Sequence, residues 1–133
     1  MNIKSQISKG YINEVIDFIK KNLQTLPTSE LKDDPLLISI KNDCDPVMNF
    51  LLKEKYHMLC PHDKQLSFLI NTASRNYHKE LIKFIQDISF SKSELTKALD
   101  YSSSSCDVFT VKILLDAGAD LMLISKIIMG EQL

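Results

Sequence analysis

The residues of this chain best suited to chemistry are His57, Cys60 and His62, with Asp63 beside them and Cys44 at a distance. Imidazole nitrogen and thiolate sulfur are ligands of zinc, and short His/Cys spacings nucleate many structural zinc sites. The same residues could serve a thiol nucleophile, because a cysteine becomes reactive when a nearby imidazole takes its proton; Cys106 is a second thiol of this kind. Neither pattern is completed. No further Cys-x-x-Cys or His pair follows at a defined interval, and Pro61 marks a loop. With only three glycines there is no phosphate-binding glycine array. The reading is a chain with no bound metal, no cofactor and no catalytic residues. Its alternative is a structural zinc site or a cysteine-dependent enzyme built on Cys60, His57 and His62.

These residues sit in a chain of ordinary globular make-up. Its 133 residues suit one domain over 1–133, and 44% apolar with 25% charged residues is the balance of a folded, water-soluble protein. The net charge is −1, and Arg75 is the lone arginine, so neither a positive field nor guanidinium forks favour nucleic acid. Three cysteines, an odd number without dense spacing, point to a reducing compartment and hence to the cytoplasm. Residues 1–10 lack the apolar core of a secretory signal. The apolar cluster at 121–129 is broken by Ser125 and Lys126 and is too short to cross a bilayer, so no membrane partner is expected.

Four apolar blocks recur: Val15-Ile16-Asp17-Phe18-Ile19, Val47-Met48-Asn49-Phe50-Leu51, Leu81-Ile82-Lys83-Phe84-Ile85 and Val111-Lys112-Ile113-Leu114-Leu115. Aligning Asp17, Asn49, Lys83 and Lys112 gives steps of 32, 34 and 29 residues. Apolar residues on both sides of one polar position bury a broad helix face, so each block predicts the second helix of a pair. Asp34-Pro35 and Asp45-Pro46 each read as an N-cap followed by proline, the start signal of two short helices. Ser91 and Glu94 have capping-box spacing and predict a helix to about Tyr101. The serine run at 102–105 reads as a turn, Asp107 as the next cap, and Gly118 as a helix terminus.

The stretch Thr110-Val111-Lys112-Ile113-Leu114-Leu115-Asp116-Ala117-Gly118-Ala119-Asp120 resembles the second helix and following turn of an ankyrin repeat. Asp34-Pro35-Leu36-Leu37 stands where that family has Thr-Pro-Leu-His, while Ala73, His78 and Glu80, and Gly10 with Glu14 and Val15, fall on or near family positions. The resemblance implies an all-α, ankyrin-like solenoid of about four helix-turn-helix repeats, at roughly 2–30, 31–63, 64–91 and 92–121, closed by a C-terminal capping helix at 122–133. It also implies a protein-protein interaction module that binds a single protein partner, as an inhibitor or effector-type adaptor. In this register residues 56–66 correspond to the projecting finger of the family, which makes Tyr56, His57, Met58 and His62 the partner-binding candidates. Leu121, Met122, Leu123, Ile124, Ile127, Ile128 and Met129 cover most of a helix surface, and an array end needs a cover, so Met122, Ile124, Ile127 and Ile128 are candidates for a partner or homodimer contact. The lysine- and isoleucine-rich, arginine-poor composition suits an AT-rich genome such as that of an intracellular bacterium or large virus. It extends the reading to an effector delivered into a host cell.

Overall fold

Helix starts are set by side chains that satisfy the otherwise unpaired first-turn amides. In the computed structural model, which describes residues 1–104, 106–120 and 122, Asn2 caps α1 (Ile3–Ser8) through Ser5, and α2 follows at Ile12–Asn22. Two 3-10 turns, Leu26–Thr28 and Leu31–Asp33, lead to α3 (Pro35–Lys41), capped by Asp34 with Pro35 in its first turn. The next helix, α4 (Asp45–Lys53), takes Cys44 as its N-cap; Asp45, read from sequence as the cap, lies inside the first turn with Pro46. Then come α5 (Tyr56–Leu59), α6 (His62–Ser74) and α7 (His78–Asp87). The capping box of Ser91 and Glu94 opens α8 (Lys92–Tyr101), and Asp107 caps α9 (Val108–Ala117), which ends at Gly118 with φ 123°. The described residues contain no strand, and none of their helices is long and apolar enough to cross a membrane.

The turns between paired helices repeat with a strict interval. Gly10, Asp43 and Asn76 have φ of 82°, 54° and 59°, the left-handed region that Gly, Asn and Asp tolerate best. Each is followed by an amide that reaches back five residues: Tyr11 to Gln6, Cys44 to Ser39, Tyr77 to Thr72. Those amides are 33 residues apart, which moves the sequence register of 32 and 34 to 33 and 33; Asp107, the cap of α9, comes 30 residues after Tyr77, the cap of α7. Buried apolar side chains keep the same interval, as Ile3, Leu36 and Leu69 in first helices and Val15, Met48 and Leu81 in second helices.

The chain divides into two compact units, 1–68 and 69–133, and the division falls inside α6. In the first unit α1 packs on α2 and α3, and α4 packs on α2, α3 and α5. In the second, α9 packs on α7 and α8. The expected repeat boundary between 63 and 64 falls within a helix, because α6 begins at His62. The residues expected to form a long finger are therefore two helices. Met122 is exposed; Ile124, Ile127 and Ile128, and all of the expected cap at 122–133 except Met122, lie outside the described residues.

Leu114 is fully buried in α9 while Lys112, two residues earlier, faces solvent. Truncating a buried leucine removes contacts and leaves a cavity, whereas an exposed lysine has little packing to lose. Urea denaturation should show Leu114→Ala costing about 2–5 kcal/mol and Lys112→Ala less than about 0.5 kcal/mol. Equal small losses would contradict this placement of α9.

Candidate functional site

Of the sequence candidates, Tyr56 joins a buried polar network in the first unit, and His57, Met58 and His62 lie in the segments beside it. Asp34 is completely buried and uses both carboxylate oxygens. Its Oδ1 caps α3, accepting from the amides of Leu36 at 2.9 Å and Leu37 at 3.0 Å. Its Oδ2 accepts from the Tyr56 hydroxyl at 2.6 Å and from Lys64 Nζ at 3.0 Å. Lys64, itself buried, also donates to the Leu26 carbonyl and to Ser29 Oγ, each at 3.3 Å. A charge out of water is tolerated only when partners replace its hydration, and here carboxylate and ammonium each meet several.

This network decides what α5 shows to solvent. Lys55 takes a left-handed conformation, φ 56°, that costs a non-glycine residue roughly 1 kcal/mol and turns the chain out of α4. Tyr56 then enters the interior to meet Asp34, and His57 is buried beside it, with its carbonyl accepting from Gln65 Nε2 at 3.1 Å. Tyr56 and His57 are thus interior residues, contrary to the projecting finger read from sequence. Their burial rotates the rest of the turn outward, leaving Met58 47% and Leu59 60% exposed. His62 lies at the exposed start of α6, its Nδ1 3.1 Å from Gln65 Oε1. The corner from Met58 to His62 is therefore an apolar step on a fixed base.

The thiols are placed for packing. Cys60 is buried and donates to the Tyr56 carbonyl at 3.4 Å. Burial, and then the nearby Asp34 carboxylate, push its thiol up to about 12, so it stays protonated at neutral pH, the opposite of an activated nucleophile. The same two causes raise the Tyr56 phenol well above its usual range. Cys44 is buried at the start of α4, and Cys106 accepts from Ser102 Oγ at 3.4 Å. Among the described residues no three His, Cys, Asp or Glu side chains gather in a way that could hold a metal ion.

A second polar cluster, in the other unit, was not assembled from sequence. His78 Nε2 lies 3.0 Å from Asp107 Oδ1 and 3.1 Å from Thr110 Oγ1, and Thr110 Oγ1 donates to Asn76 Oδ1 at 3.1 Å. Asp107 Oδ1 also accepts the Thr110 amide at 2.8 Å, and this bond first of all holds its carboxyl below the usual range. Hydroxyl, imidazole and carboxylate are the components of a nucleophilic triad. A proton relay, however, needs the hydroxyl and the carboxylate on opposite ring nitrogens. Here both meet Nε2, so the cluster joins the start of α7 to the start of α9. Asp107 was legible as a cap; its link to His78, 29 residues away, has no local signal.

Comparison of the chain with protein-family models, with curated proteins and with solved structures found no match.

The raised Cys60 and Tyr56 values fix a sign for the alkaline limb of stability. Both groups are neutral in the fold, so their contribution is intact below the unfolded values and is lost as pH rises from there toward the folded ones. For Cys60 that window opens near pH 9 and closes at about 12, with Tyr56 adding to it from about pH 10. Stability should fall there by up to about 1.4 kcal/mol per pH unit for each group, measured by urea denaturation at stepped pH. Tyr56→Phe combined with Cys60→Ala should flatten the fall, and an unchanged slope would show that neither group is held neutral.

Proposed function

We propose that the chain is an ankyrin-type helical-repeat module that binds a protein partner, acting as an inhibitor or adaptor through that contact. The observation that carries the reading is the corner at Met58 and Leu59, two adjacent large apolar side chains exposed on a helix whose other residues are anchored by a buried network. Ordering an exposed apolar pair costs entropy only once, at folding, when the base beneath it is rigid; a partner then loses little more on docking. Met is also enriched at interface centres. The 33-residue interval of turns and buried positions agrees with the ankyrin period, which supports the repeat assignment. Three cysteines without a disulfide are compatible with a reducing, cytoplasmic setting, in the organism's own cell or in a host.

The test is affinity capture from cell lysate with the intact chain, a Met58→Ser/Leu59→Ser variant, and a Met122→Ser variant for the exposed residue after α9. The corner variant should lose the captured partner by about 30-fold in affinity, the loss of a hot spot worth about 2 kcal/mol. Met122→Ser should retain it. A partner held equally by all three would remove the corner as the binding site.

A further inference from the structure

We infer that the face formed by His78, Asp107 and Phe109 is a second docking surface, for a partner segment that presents an arginine or lysine beside an apolar side chain. This goes beyond the Met58 corner and lies wholly in the unit 69–133. Val108 and Phe109, at the first turn of α9, are 79% and 66% exposed, among the most exposed large apolar residues described. They are flanked by held residues. Asp107 before them caps the helix, and Thr110 after them is fully buried and bonded to Asn76. The Phe109 ring lies against His78, with centroids 5.8 Å apart and planes tilted by 55°.

The polar rim of this face is rich in unspent acceptors. His78 Nε2 faces a carboxylate oxygen, and also a hydroxyl oxygen whose own hydrogen goes to Asn76. Nε2 must therefore carry a ring hydrogen, and the tautomer that has its one hydrogen there offers a lone pair at Nδ1. Asp107 takes both of its side-chain hydrogen bonds on Oδ1, leaving Oδ2, and its side chain is 41% exposed. A carboxylate oxygen, an imidazole lone pair and the face of a phenyl ring together suit a donor that is also a cation: the first two accept its hydrogens, and the ring quadrupole attracts its charge. The chain's own cations do not fill this role. Lys79 on α7, Lys97 on α8 and Lys112 on α9 are exposed, and among the described residues no lysine or arginine pairs with Asp107. Arginine fits better than lysine, because its planar fork can bond the acceptors while stacking on Phe109.

The probes are acetyl-Leu-Arg-Leu-amide and the same peptide with citrulline, which keeps the shape of arginine and removes its charge. In a titration of the full chain followed by NMR, the arginine peptide should shift the Phe109 ring and His78 signals saturably, about fivefold tighter than the citrulline peptide. Phe109→Ala should abolish this preference. Asp107→Asn, which preserves a capping side chain, should reduce it, and circular dichroism would establish that both variants stay helical. Met58→Ser/Leu59→Ser should bind the arginine peptide as the intact chain does, so failure of the corner and failure of this face are read separately. Equal affinity for the two peptides, no saturable shift, or full retention of the preference in Phe109→Ala would each overturn the proposal.

Discussion

A carboxylate with no access to water has to find its partners inside the protein, and at Asp34 that requirement organises the first unit. One oxygen caps α3 and the other receives a phenol and an ammonium that come from 22 and 30 residues further along the chain. To supply the phenol, the chain makes a left-handed turn at Lys55 and a short extra helix. To supply the ammonium, α6 starts early enough to include Lys64 before the buried positions that keep the 33-residue interval begin. The segment between the second and third helix pairs is thus folded inward onto a charge. Replacing such a pair by apolar residues can be neutral, but removing one member leaves the other buried and unpaired. What the pair contributes here is position: it determines which side of α5 faces solvent.

That logic explains which parts of the structure could be read from residues alone. Caps and punctuation are local, so Asp34-Pro35, the Ser91/Glu94 box, Asp107 and Gly118 were all legible, and the four apolar blocks fall in α2, α4, α7 and α9. The apolar pattern fixed a face but not a register, because neighbouring helix positions are all apolar. The left-handed residues Gly10, Asp43 and Asn76 carried the true interval and are a sharper signal than the blocks. At Asp45 the proline was read correctly and the cap was placed one residue late.

Where the functional candidates lie has a different cause. Tyr56 and His57 looked like contact residues because the repeat register put them on the projecting finger, and aromatic side chains are enriched at interface centres. Their burial depends on an acid far upstream, and nothing within their own segment announces it. Met58 lies outside because they lie inside. The His78 cluster is likewise a long-range pairing, hidden although Asp107 had a visible local role as a cap. In both units a buried or capped polar group fixes the backbone and adjacent apolar side chains are left exposed, a division of labour between rigidity and contact that suits recognition.

The central claim is that Asp34 and Lys64 act as one unit, and a double-mutant cycle measures this directly. Asp34→Asn retains an oxygen for the α3 cap, and Lys64→Met retains the length of the side chain without its charge. Unfolded by urea, each single variant should lose about 3–5 kcal/mol, and the double variant should lose at least about 2 kcal/mol less than their sum, because it leaves no unpaired charge behind. Losses that simply add would mean that the two residues contribute independently, and the account of α5 built on their pairing would be wrong.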